Sequence, residues 1–85
     1  MNDFSFRELE CFIAVSEELS FTRAAQRLHL AQPPLSRHIR NLEEKLGVKL
    51  FERTNREVRL TTPGVAFRGE AQEILMKVQR AGEAA

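Results

Sequence analysis

Apolar residues recur along most of this chain at helical spacing, with one short break into strand-like alternation. Phe21, Ala24, Ala25 and Leu28 stand at i, i+3, i+4 and i+7, and Leu35, Ile39, Leu42 and Leu46 repeat the pattern over a longer run. Only His29, Leu30 and Ala31 separate the two runs. Two helices joined by so short a turn form a helix-turn-helix, here spanning residues 21–40. Ala24 and Ala25 suit it, because small side chains let helices cross closely. Upstream, Ser5 with Glu8 three residues on is a capping box. Leu9, Phe12, Ile13 and Ser16 mark the inner side of a first helix, while Glu8, Glu10 and Glu17 are expected to point elsewhere. Leu19 ends that helix, and Ser20 caps the next, which starts at Phe21.

The third helix opens less cleanly. Ala31 is a poor cap. Pro33 and Pro34 lose nothing in a first turn whose N–H groups lack partners. Gln32 and Pro33, each preceding a proline, are pushed away from helical dihedrals, so the helix is expected to begin a residue or two later than its pattern. Gly47 closes it. Val48–Arg53 then reads as a short strand, 54–57 as a turn and Val58–Leu60 as the returning strand, which together make a wing. Thr61, Thr62, Pro63 and Gly64 open a last helix. Along it Phe67, Ala71, Ile74, Val78, Ala81 and Ala85 alternate spacings of four and three, a heptad seam. That helix would run roughly 35 Å, and only its Phe67 end reaches the body. The seam can pack on the first helix or pair with the same helix of a second chain, and the apolar stripe beyond the body argues for a homodimer. The fold class expected is mainly α: a winged helix-turn-helix of three helices and a two-stranded wing over 4–61, then a linker or dimerisation helix over 62–85.

The polar face of the third helix carries the candidate chemistry. Pro33, Ser36, Arg37, Arg40 and Asn41 lie on an arc away from the leucine stripe with Gln32 at its edge, mostly in the half of a recognition helix that meets base edges. Gln makes paired contacts to adenine, Arg to guanine, and Ser serves either. Pro33 and Pro34 form an apolar nose suited to a thymine methyl. Glu43, Glu44 and Lys45 fall where the helix leaves the groove. Any amphipathic helix has a polar face, so the surrounding elements carry weight. Ser20, Thr22 and Arg23 sit at a helix N-terminus that favours phosphate, and with Arg40 they are read as backbone contacts. Arg53 and Arg56 stand at the base or tip of the wing, where a narrow minor groove attracts arginine.

Composition adds limits. Eighty-five residues make one small domain without room for a large buried active site. There is no apolar run long enough for a membrane span. The N-terminus, Met1-Asn2-Asp3-Phe4, lacks a basic, apolar leader, so no secretion is expected. The lone Cys11 cannot form an internal disulfide, fits a packed apolar role and suits a reducing cytoplasm. The net charge of +1 hides a division: residues 21–62 hold nine Arg or Lys against four Glu, whereas residues 1–20 hold Arg7 against five acids. A clustered basic segment is the footprint of a nucleic-acid binder. No glycine-rich phosphate loop is present, and Cys11, His29 and His38 lack metal-ligand spacing. No enzyme activity, metal or cofactor is therefore expected. The alternative reading is a winged module that binds another protein through its arginines, without sequence-specific DNA binding.

These residues, in this order and spacing, resemble the N-terminal DNA-binding domain of LysR-type transcriptional regulators. The likeness is carried by Leu9 with Phe12-Ile13-Ala14-Val15, Ser20-Phe21-Thr22 with Ala24-Ala25 and Leu28, and Gln32-Pro33 with Leu35-Ser36 and Ile39. It continues through Leu42-Glu43 with Leu46-Gly47, Leu50-Phe51 with Arg53, and Leu60-Thr61 with Gly64. The family pattern usually has Ser at Ala31 and Ala at Pro63; the first departure weakens a cap and the second leaves the helix start intact. The resemblance implies a bacterial regulator that controls transcription from an inverted-repeat operator in double-stranded DNA. It places Gln32, Pro33, Pro34, Ser36 and Arg37 at the major groove and Arg53 at the minor groove. It implies dimerisation through the long helix, tetramers in the full-length protein, and a small-molecule inducer bound by a C-terminal domain absent from this chain.

Overall fold

A computed structural model describes residues 3–85; Met1 and Asn2, which begin the acidic N-terminal stretch, lie outside the described residues. The order is α1 (Phe6–Glu18), α2 (Phe21–Arg27), α3 (Gln32–Leu46), β1 (Phe51–Arg53), β2 (Val58–Leu60) and α4 (Thr62–Ala84). Among the described residues no helix is long and apolar enough to cross a membrane.

The capping box forms as the spacing requires. Glu8 N–H donates to Ser5 Oγ at 3.0 Å, and Ser5 N–H donates to Glu8 Oε1 at 2.8 Å. The buried side of α1 is wider than the expected stripe: Leu9, Cys11, Phe12, Ile13, Ala14, Val15 and Ser16 are all buried. The helix is the hub, packed against α2, α3 and α4. Glu8 does not point away from the core as expected; it is 4% exposed. Lys45, from the last turn of α3, donates to both its carboxylate oxygens at 3.0 Å. Burial alone would raise the Glu8 carboxyl, but the Ser5 N–H and the Lys45 ammonium together outweigh it and hold the group below the ordinary 4.5. Burial pushes the Cys11 thiol up to about 11, so this cysteine is a packing residue.

Leu19 closes α1 in the left-handed region at φ 51°, and Ser20 Oγ caps α2 by accepting Arg23 N–H. The turn between α2 and α3 is a Schellman motif. Leu30 N–H reaches Ala25 C=O, His29 N–H reaches Gln26 C=O, and His29 takes the left-handed position at φ 56°.

α3 begins at Gln32, earlier than expected. Pro33 and Pro34 fall where no intrahelical N–H is needed, and Leu35 N–H still reaches Ala31 C=O at 3.4 Å. Burial of Leu35, Ile39 and Leu42 outweighs the pre-proline preference.

The first strand is shorter than expected, because residues 49 and 50 bond elsewhere. Leu50 and Phe51 N–H donate to Glu43 Oε2 at 2.7 and 3.3 Å. Lys49 C=O accepts from Thr61 Oγ1, and Leu50 C=O from Thr61 N–H. Glu43 is therefore buried and not part of the solvated end of the polar face. β1 and β2 pair antiparallel, with Phe51 opposite Leu60 and Arg53 opposite Val58.

Thr61 caps α4, as its hydroxyl accepts Gly64 N–H. Of the heptad seam, Ala71 is buried and Phe67 half-buried in the chain's own core, while Ile74, Val78 and Ala81 are exposed. A file of aromatic contacts crosses the core: Phe4 to Phe67, Phe67 to Phe12, Phe12 to Phe51, and Phe51 to Phe21.

Candidate nucleic-acid interface

The N-terminal half of α3 stands at the surface because its first fully buried side chain is Leu35. Gln32, Pro33, Arg37 and Arg40 are exposed; Pro34 and Ser36 are half-buried. The N-terminus of α2 lies alongside. Ser20, Thr22, Arg23 and Gln32 line one groove together with Arg53 and Arg56 of the wing. A second groove, between α3 and β1, is lined by Ser36, Arg40 and Arg53. The structure thus brings together candidates from α2, α3 and the wing, with Arg53 shared by both grooves. Arg37 stands beside Ser36 on α3, outside both grooves.

The basic charge of this face is more selective than the sequence count indicates. Arg27 is held by Glu17 at 2.7 Å and by Glu18 at 3.4 Å, and its pKa is raised, first by the Glu17 hydrogen bond. Arg23 donates to Glu18 C=O at 2.9 Å and lies 3.6 Å from the Glu18 carboxylate. The acidic end of α1 therefore neutralises the arginines of α2. Lys45 faces Glu8, and Arg59 faces Glu57. Among the described residues, Arg37, Arg40, Arg53 and Arg56 have no carboxylate within ion-pair distance. These four cations are on α3 and the wing.

Arg56 sits at the hairpin tip, where Thr54 organises the turn by accepting the N–H groups of Arg56 and Glu57. Arg53 is not at the tip. It is the last residue of β1, its guanidinium carbon lies 3.5 Å from the Phe21 ring centroid, and its Nη2 donates to Ser36 Oγ at 3.4 Å. Phe21 was legible only as a core residue, and its role as a platform for Arg53 depends on the wing folding back onto α2. No spacing signal announces that contact. The Glu17 and Glu18 clamps on α2 have a visible signal, an acidic pair followed by Arg23 and Arg27 across a tight joint, which net charge by segment does not resolve.

Comparison with known proteins places this geometry. The family model described as the bacterial regulatory helix-turn-helix protein, lysR family, matches residues 6–65. The HTH-type transcriptional regulator TfdT of Cupriavidus pinatubonensis is 51% identical over 74 residues, which are 87% of this chain and 32% of TfdT. BenM of Acinetobacter baylyi, also an HTH-type transcriptional regulator, is 51% identical over 74 residues, 87% of this chain and 24% of BenM. The chain spans about a quarter to a third of the length of the curated relatives it matches. Among solved structures, the complex of the BenM DBD with catB site 1 DNA superposes with a TM-score of 0.91 at 48% identity, covering 94% of this chain and 90% of that one. The CbnR DBD–DNA complex gives 0.89 at 45% identity, covering 94% and 92%. The chain belongs to the LysR family of bacterial regulatory helix-turn-helix proteins.

Proposed function

We propose that this chain is the DNA-binding unit of a LysR-type transcriptional regulator and that it binds a specific sequence in duplex DNA. Residues 4–61 are the winged helix-turn-helix and 62–85 the linker and dimerisation helix. The observation that carries the reading is the clustering of four carboxylate-free arginines, Arg37, Arg40, Arg53 and Arg56, on α3 and the wing. Likeness to the BenM and CbnR DNA complexes supports it. Gln32, Pro33, Pro34, Ser36 and Arg37 face the major groove. Ser20, Thr22, Arg23 and Arg40 hold phosphates, with Arg23 exchanging Glu18 for the backbone. Arg56 meets the minor groove. The regulator acts in the bacterial cytoplasm as a dimer through the open part of α4, at Ile74, Val78 and Ala81. In the whole protein a C-terminal domain binds a small-molecule inducer and extends the assembly to a tetramer.

The test is selection of this chain's binding sites from random duplex DNA at near-physiological salt. Recovery of an inverted repeat is the expected outcome and would establish dimeric engagement with it. Recovery of no motif, with binding that vanishes as salt rises, would overturn sequence-specific recognition. On the selected site, Arg37→Ala weakens binding far more than on random DNA, since a paired contact to guanine discriminates by about 1–3 kcal/mol.

A further inference from the structure

Arg53 occupies a different place from the other free arginines of the face. Its guanidinium carbon lies over a fixed ring, 3.5 Å from the centroid. Phe21 is 7% exposed, opens α2, and packs against Phe51 at a centroid distance of 6.0 Å. Stacking on such a platform uses one face of the guanidinium and leaves its in-plane donors aimed. One of them reaches Ser36 Oγ. Arg53 therefore ties together the first residue of α2, the exposed half of α3 and the first strand of the wing.

Ser36 is affected in a specific way. A hydroxyl has one donor and two acceptor positions. Here an acceptor position is filled by Arg53, and among the described residues Ser36 Oγ donates to no protein acceptor. Its hydrogen is left for an outside partner. In the major groove the acceptors are purine N7, guanine O6 and thymine O4, whereas adenine N6 and cytosine N4 are donors.

We propose that Arg53 is a positioning residue, in place of the minor-groove contact that the family resemblance implies: seated on Phe21, it holds the Ser36 hydroxyl as an outward donor and so selects a base acceptor opposite Ser36, without itself contacting DNA. The proposal rests on the DNA-binding reading above. Arg53 then contributes to discrimination and not to phosphate neutralisation, in contrast to Arg40.

The experiment measures binding to the selected duplex and to a scrambled duplex over a range of salt, for the wild-type chain and for Arg53→Gln, Arg53→Lys, Ser36→Ala and the double variant Arg53→Gln/Ser36→Ala. Arg53→Gln is expected to lose about tenfold on the selected site, a loss within the range of one base contact. It should stay within about twofold on scrambled DNA with the log–log salt slope unchanged, as no phosphate contact is removed. Arg53→Lys, which keeps the charge and loses the planar fork, does not rescue. Ser36→Ala adds nothing once Arg53 is replaced. Phe21→Leu, which keeps the core apolar and removes the platform, reproduces the selective loss, and thermal unfolding of each variant verifies that it folds. Equal loss on both duplexes with a slope reduced by about 0.9 would make Arg53 a phosphate contact and overturn the inference. Additive effects of Arg53→Gln and Ser36→Ala would overturn it too. A wild-type chain without a preferred sequence overturns the DNA-binding reading itself, whereas a selective wild-type chain with an indifferent Arg53→Gln variant overturns this inference alone.

Discussion

The carboxylate of Glu43 accepts the backbone N–H of Leu50 at 2.7 Å and that of Phe51 at 3.3 Å. One buried side chain near the end of α3 thus supplies the hydrogen bonds that turn the chain into the wing. It sets where β1 begins and therefore where Arg53 emerges. Glu43→Ala leaves two buried N–H groups without an acceptor. Destabilisation of about 3 kcal/mol is expected, because an orphaned buried donor loses its full desolvation cost. Glu43→Gln keeps a carbonyl oxygen in place and is expected to cost about 1 kcal/mol. Urea unfolding of the two variants checks the order; an Ala variant as stable as the Gln variant would show that water replaces the carboxylate.

Glu43 also marks how far the sequence could be read. Helix boundaries came through because capping, apolar spacing and turn residues agree at Ser5, Ser20, Gly47 and Thr61. The grouping of Gln32, Ser36 and Arg37 on one helix face followed from the same period. Long-range polar contacts did not come through. Glu8 meets Lys45 across 37 positions, and Arg53 meets Ser36 across 17. Periodicity describes one element at a time and carries no term for such pairings. Glu8 and Glu43 therefore read as positions off the apolar face, although Glu43 lies four residues after the buried Ile39 and next to Leu42, at the edge of the apolar stripe.

The Glu8 and Lys45 pair gives the fold an acid-sensitive contribution of defined sign. The folded pKa of Glu8 lies below the ordinary value, so the unfolded chain binds its proton first as pH falls. The stabilisation is complete above the unfolded pKa and is lost as pH drops through the lower, folded value. Glu8→Gln preserves an oxygen for Ser5 N–H and removes the titration. Its stability should fall less steeply than wild type between about pH 5 and pH 2. Lys45→Met removes the ammonium and moves the Glu8 transition to higher pH. Urea midpoints across that range, with side-chain carboxyl shifts followed by NMR, would show either change; parallel wild-type and Glu8→Gln profiles would remove Glu8 from the acid response.

Leu19 offers a stabilising substitution. It sits at φ 51° and ψ 35° and is 47% exposed, so the left-handed backbone is strained for little packing return. A non-glycine residue in this region costs roughly 1–2 kcal/mol. Glycine removes that strain and gives back part of it as greater freedom in the unfolded chain. Leu19→Gly is expected to raise stability by about 0.5–1 kcal/mol, read as a higher Tm. His29 has a similar φ of 56°, but histidine is enriched in this region, so His29→Gly should gain less. A lower Tm for Leu19→Gly would mean that the exposed leucine packs more than its surface indicates.

Gly64 is required for room and not for backbone freedom. It lies in the first turn of α4, is buried, and donates its N–H to Thr61 Oγ1 at 3.0 Å. A Cβ at this position would run into the backbone carbonyl oxygen of Leu50, with the Leu60 side chain and the Leu50 carbonyl carbon also in close contact. The Leu50 carbonyl has no freedom to withdraw. It accepts Thr61 N–H at 3.0 Å, and the N–H of the same residue is held by Glu43. Gly64→Ala must therefore displace α4 from the strand or break the Thr61 cap. Overpacking of this kind costs about 1–3 kcal/mol even though alanine favours a helix by close to 1 kcal/mol over glycine. Gly69 is the internal control, because a Cβ there meets nothing within 4 Å. Gly69→Ala should stabilise the chain by up to about 1 kcal/mol while Gly64→Ala destabilises it. If the two substitutions move Tm in the same direction, α4 does not press against Leu50 in solution as it does in the structure.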